Sequence, residues 1–147
     1  DDFSINKLDT LLDAYNNMMG AVVLVGLIIT SISLFVGGVG VMNIMFVSVT
    51  ERTKEIGIRK AIGAKKRSIL LQFLFESSTI CLFGGIVGLS IAALLTKVIN
   101  DMLMPASLSP SIIISALVIS IVVGVVSGFV PAYRGAKLDP IEALRYE

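Results

Sequence analysis

Residues 50–67 read TERTKEIGIRKAIGAKKR, a charged island set between two long apolar runs. Residues 51–67 hold seven of the chain's twelve basic residues and two of its eleven acidic ones, whereas residues 14–50 carry no charge at all. Lys and Arg that flank a membrane span stay on the cytoplasmic side, so an island of this kind remains in water and orients its neighbouring spans. Glu51, Glu55 and Arg59 recur at helical spacing, with Glu55 four residues before Arg59 in the favourable order, and Ile58, Ala61 and Ile62 form a neighbouring stripe. Gly63 suits a helix stop, because glycine takes the left-handed turn at no steric cost. The island therefore reads as a short helix between two spans. Charge alone would describe any basic loop of a multi-span protein, and it is the order of residues that sets this one apart.

The flanks decide the class. Hydrophobic residues make up 55% of the chain and charged ones 16%, against roughly 25% charged in ordinary soluble domains. The expected fold is all-α: a polytopic membrane protein with three transmembrane helices, a short cytoplasmic helix between the first two and an N-terminal amphipathic helix. Net charge is +1, with basic residues sorted by side rather than in excess, so no nucleic-acid partner is implied.

Upstream, residues 1–18 are acidic, with Leu8, Leu11, Leu12, Tyr15, Met18, Met19 and Val22 at helical spacing; this predicts an amphipathic helix running directly into the first span, residues 19–49. That span is longer than the roughly 20 residues that cross a bilayer and would reach roughly 45 Å, so it must tilt, project or break. Gly37-Gly38-x-Gly40 is the expected place for a bend or a close helix contact. The chain opens on Asp1 without an initiator Met or signal-peptide features, which reads as part of a longer chain.

Downstream, residues 68–96 form the second span, interrupted by Glu76. A charge at mid-membrane would cost on the order of 3 kcal/mol, so Glu76 is expected near the cytoplasmic interface, snorkelling or paired with a basic residue of the island. Cys81 sits in an apolar run as a small packing residue. Residues 97–109 form an outer loop, Ser109 and Pro110 supply an N-cap and first helical position, and the third span, residues 110–131, ends near Val130 before Pro131. Ala116, Ser120, Gly124, Gly128 and Ala132 recur every fourth residue, and Gly84, Gly88 and Ala92 do the same in the second span; such stripes allow close backbone approach, so these two spans are expected to pack together, unless either faces a partner subunit. In the tail, residues 132–147, Asp139 as N-cap, Pro140 next and Glu142 at the third position start a further helix, with Arg145 near its end.

No phosphate loop of the G-x-x-x-x-G-K-[ST] type occurs, and the chain has no His, which removes zincin motifs and Ser-His or Cys-His nucleophiles. No catalytic or metal site is expected, and the chain reads as a non-enzyme.

The run Glu51-Arg52-x-x-Glu55-Ile56-Gly57-Ile58-Arg59-Lys60-Ala61-Ile62-Gly63-Ala64, followed by Gln72-Phe73-Leu74-x-Glu76, closely resembles the segment after the second span in MacB/FtsX-like permeases of ABC transporters. Residues 131–146 also resemble the MacB-like terminus. Departures are mild: Ser77-Ser78 stands where the family commonly has Ala, and Tyr133 and Gly135 lie in a tail usually richer in Ala and Arg. The resemblance implies that the island is a coupling helix seated on an ATPase through Glu51, Arg52, Glu55, Ile58, Arg59 and Ile62. It implies the last three of four spans in a bacterial cytoplasmic (inner) membrane, with residues 1–18 as the stalk to an extracytoplasmic domain. Implied partners are an ABC ATPase domain or subunit that binds the ATP, a second permease copy in a homodimer, the lipid bilayer, and a periplasmic or extracellular adaptor. The chain itself would need no cofactor. The implied function is the permease of a MacB-like efflux transporter, passing ATP-driven motion outward by mechanotransmission; the alternatives are an FtsX-type regulator of cell-wall enzymes, a lipoprotein-release permease, or a three-span scaffold without an ATPase.

Overall fold

The computed structural model describes residues 2–102, 105–139, 141 and 143. Its helices run in the order α1 (Asp2–Glu51), α2 (Thr53–Ala61), α3 (Lys66–Met102) and α4 (Pro110–Lys137). Three of them, α3, α4 and α1 from Lys7 on, are long and apolar enough to cross a membrane. Their flanks expose Leu, Ile, Val and Phe side chains along most of their length, a surface that hydrocarbon solvates and water does not. This is an all-α, multi-pass membrane fold.

The chain divides into two units at Gly37 and Gly38. In the first, the N-terminal part of α1, the apolar residues from Leu8 to Val36 are exposed on every side of the helix. The expected amphipathic segment and first span are one uninterrupted helix. No break occurs at Gly37-Gly38-x-Gly40, because a glycine in a helix forfeits only about 1 kcal/mol, whereas an open turn in lipid would strand backbone polar groups at several kcal/mol each. The close contact does occur: Gly38 is buried, and a Cβ there would stand 2.8 Å from Ser127 Oγ.

In the second unit α3 and α4 pack closely, and their pairing is antiparallel: Gly85 faces Ser120, Ser77 and Ser78 face Gly124, and Phe73 faces Gly135. At Gly124 an added Cβ would lie 2.6 Å from Ser78 Cα and 2.8 Å from the Ser77 carbonyl, and at Gly128 it would lie 2.6 Å from Ser77 Cβ. Ser77, fully buried, donates its hydroxyl to the Leu74 carbonyl at 3.0 Å, so the close approach leaves no stranded donor. The α4 stripe thus behaves as a packing seam, but its counterpart is corrected. Gly84 and Gly88 are exposed with nothing within 4 Å of a Cβ; α3 meets α4 through Leu74, Ser77, Ser78 and Gly85. One residue turns a helix by about 100°, so the next position along carries the contact instead.

Helix α4 does not stop before Pro131 as the sequence suggests but runs through it to Lys137. Proline removes one backbone donor, which membrane helices tolerate when packing holds the backbone. Here Pro131, Ala132, Gly135 and Ala136 are all buried, with Gly135 against Val49 and Phe73. Helix α3 likewise extends past residue 96 into the expected outer loop. Ser109 and Pro110 start α4 as expected by position, although the Ser109 hydroxyl makes no capping bond.

Candidate functional site

The charged end of the second unit is built on a small apolar core: Met45 and Val49 from α1, Ile56 from α2, Ile69 and Phe73 from α3, Ala132 and Ala136 from α4. Each lies on the inward stripe of its helix, so four elements meet where the sequence turns from apolar to charged. The short helix α2 is pinned by this core on one face only. Ile56 is 4% exposed and Gly57 is buried beside it, whereas Ile58 is 48% and Ile62 81% exposed. Two large apolar side chains are thereby presented outward at this charge-rich helix.

The end of α2 is set by Gly63 at φ 100°. Its N–H donates to the Lys60 carbonyl at 3.0 Å and that of Ala64 to the Arg59 carbonyl at 2.9 Å, the paired bonds by which a left-handed glycine closes a helix. The predicted stop is therefore a defined turn that reverses the chain into α3.

Polar groups lock the arrangement. Arg52 Nη1 pairs with Glu76 Oε2 at 3.2 Å, so the carboxylate within α3 is neutralised by the island, as its position in an apolar helix requires. Arg59 pairs with Glu55 one turn earlier and also donates to Gln72 Oε1 at 2.7 Å, fastening α2 to α3. Lys60 donates from Nζ to the Leu138 carbonyl at the end of α4. Burial, and secondarily the charge of Lys66, push the Lys60 ammonium below its usual range, while Asp139 partly offsets them. Arg134 stacks over the Phe46 ring at 5.3 Å, and Lys137 over Tyr133 at 4.7 Å.

Of the residues singled out in the island, Ile58 and Ile62 face away from the chain's own core, and Glu51 is exposed in the last turn of α1. Arg52, Glu55 and Arg59 are drawn into ion pairs within the chain. Sequence reasoning passed over the inward pair Ile56 and Gly57 and the roles of Gln72 and Lys60. The signal for the first was present, since Ile56 lies four residues before Lys60 and one turn from Thr53, all three on the flank opposite Ile58. Beyond α4, Asp139 Oδ1 accepts from the Ile141 N–H at 3.0 Å and its carbonyl from Ala143 at 2.9 Å, the expected helix start. Pro140, Glu142 and Arg145 lie outside the described residues. The arrangement leaves an apolar surface, Ile58 and Ile62, exposed beside the charged side chains of Glu51, Arg52, Glu55 and Arg59.

Residues 18–140 match the family described as FtsX-like permease C-terminal. The chain is 47% identical over 146 residues to the macrolide export ATP-binding/permease protein MacB of Neisseria gonorrhoeae, covering 98% of this chain and 23% of that protein. It is 44% identical over 148 residues to the protein of the same name from Syntrophobacter fumaroxidans, covering all of this chain and 21% of that protein. It is also 48% identical over 147 residues to a probable export ATP-binding/permease protein of Pseudomonas fluorescens, covering 97% of this chain and 22% of that protein. The chain spans less than a quarter of the length of these curated relatives.

Proposed function

Because this chain belongs to the FtsX-like permease C-terminal family, in its MacB-like branch, we propose that it is the permease part of an ABC exporter that passes motion from an ATPase to an extracytoplasmic domain. The names of the relatives pair an ATP-binding function with a permease and with export, which supports an ATPase partner, fused or separate, as the source of that motion. The observation that carries the reading is the two-faced α2: Ile56 and Gly57 are sunk into the four-helix core while Ile58 and Ile62 stand outward.

An isolated basic loop gains nothing by holding isoleucines in water, whereas a docking helix needs apolar anchors at its centre and charges at its rim. Ile58 and Ile62 are the anchors. Glu51 and the exposed edges of Arg52, Glu55 and Arg59 set the register. The Arg52–Glu76 ion pair and the hydrogen bonds of Arg59 to Gln72 and of Lys60 to the Leu138 carbonyl make α2 move with the spans, so a push on its outer face is passed into α3 and α4. In this reading the charged end faces the bacterial cytoplasm and ATP is held by the partner alone.

The test is Ile58→Asp in the whole transporter. Truncating or inverting a central anchor commonly costs more than about 2 kcal/mol of docking, and a rim charge far less. Ile58→Asp is expected to abolish export and the coupling of ATP hydrolysis to it while the protein inserts normally, with Lys65→Ala near wild type. Normal coupling in a properly inserted Ile58→Asp protein overturns the docking role.

A further inference from the structure

On the far side of α2 from Ile58 and Ile62, an open cleft of about 290 Å³ is lined by Lys60, Ala64, Lys66, Lys137, Leu138 and Asp139. Residues two apart on a helix point about 200° away from one another, which is why Lys60 faces this cleft while its isoleucine neighbours face outward. Three lysines from three helices, α2, α3 and α4, line this cleft beside a single described carboxylate, that of Asp139. Two of them are held in place by the protein: Lys60 by its bond to the Leu138 carbonyl, Lys137 by the Tyr133 ring. The cleft shares Lys137, Leu138 and Asp139 with a second groove of about 460 Å³, which continues along α4 past Arg134 and Tyr133 to an apolar end at Phe129 and Val130. Those two residues belong to the apolar length of a helix fit to cross a membrane.

A basic cleft that opens onto an apolar groove at the end of a spanning helix has the chemistry of an anionic lipid site, headgroup in the first and acyl chain in the second. We propose that this cleft binds the phosphodiester headgroup of an anionic phospholipid, with Lys60, Lys66 and Lys137 as the phosphate partners and Phe129, Val130 and Tyr133 bordering an acyl chain. Burial and the neighbouring Lys66 already disfavour the Lys60 ammonium, a cost that a bound anion relieves. A lipid seated there would join α2, α3 and α4 across their polar ends. The site is separate from the ATPase-facing side of α2 and does not depend on that docking.

The test titrates the detergent-solubilised transporter with phosphatidylglycerol or phosphatidylcholine and reads bound lipid by native mass spectrometry. At roughly 1 kcal/mol for each lysine near an anionic headgroup, about a fivefold effect apiece, phosphatidylglycerol is expected to bind at least tenfold more tightly than phosphatidylcholine. Lys66→Gln combined with Lys137→Gln should remove most of that preference, leaving the roughly fivefold share of Lys60, Lys66→Gln alone should reduce it about fivefold, and Lys54→Gln should leave it intact. Equal retention of the two lipids by the wild type overturns the proposal, as does an equal loss from Lys54→Gln. Displacement of the lipid by millimolar inorganic phosphate would instead assign the cleft to free phosphate.

Discussion

Gly124 and Gly128 show how finely a single residue sets the contact between the last two spans. At Gly128 the obstacle to a Cβ is a side chain, that of Ser77, whereas at Gly124 it is backbone, Ser78 Cα and the Ser77 carbonyl. A side chain can be removed and backbone cannot, so the two sites should respond differently to a second change. Gly128→Ala and Gly124→Ala are each expected to destabilise by about 1–3 kcal/mol through overpacking. Adding Ser77→Gly should recover much of the loss at Gly128 and none at Gly124, as read by thermal denaturation in detergent. Gly84→Ala and Gly88→Ala should leave the isolated chain's stability unchanged or slightly raised, since nothing meets their Cβ. If Gly84→Ala instead weakened the assembled transporter, the exposed α3 stripe would be shown to face another subunit. Arg52 and Glu76 are a different case. The pair is partly exposed, and its worth is in giving a carboxylate within an apolar helix a partner of opposite charge rather than in a large stabilisation.

At the scale of elements, α2 is only a few turns long and has little helical stability of its own. It holds because Ile56 is buried, because Arg59 and Lys60 tie it to α3 and α4, and because Gly63 closes it. Gly63 sits where L side chains are strained, so Gly63→Ala is expected to cost roughly 1 kcal/mol and Gly63→Asn less. Hydrogen exchange on α2 amides should rise in Gly63→Ala while those in the middle of α3 stay protected. Uniform loosening of both helices would show that the turn is not a local stop. Helix α4 teaches the opposite lesson about punctuation. Its proline looks like an ending, yet burial of Pro131, Ala132, Gly135 and Ala136 carries the helix on to Lys137. That extension is what delivers Lys137 and the Leu138 carbonyl to Lys60.

For the molecule as a whole, the arrangement of charge fixes which predictions to make. Residues 51–67 and the tail carry ten basic residues, and Lys7 and Lys97 are the remaining two; from this asymmetry and the positive-inside rule we propose that the α2 end faces the cytoplasm. A cysteine at Lys65, in a chain whose Cys81 is replaced by Ala, should resist an impermeant thiol reagent in intact cells and react after lysis. Labelling from outside would invert the topology. We propose, from the sequence resemblance alone, that a second copy stands beside this one. The first part of α1 exposes apolar side chains all round, while α3 and α4 satisfy one face of each other. Cysteine at Ile29 should therefore give a disulfide-linked dimer on oxidation, and cysteine at Val126 should not. The reverse pattern would move the interface to α4.

Much of this was legible in the linear order of residues because the information is local. Uncharged runs longer than a bilayer demand helices, the basic island marks their polar joint, and Gly63 and Asp139 act through the backbone within a few residues of themselves. The stop at Gly63 and the cap on Ile141 needed no partner from elsewhere in the chain. Contacts across helices are another matter. Whether α3 meets α4 through Gly84 or Gly85 turns on about 100° of rotation, which small-residue spacing does not specify, since both positions satisfy a four-residue repeat. The choice falls to packing, where the Ser77 and Ser78 backbone fits against Gly124. In the same way, only folding brings Lys60, Lys66 and Lys137 into one cleft, because their common neighbourhood depends on α4 continuing through a proline that local propensity alone would have made its end.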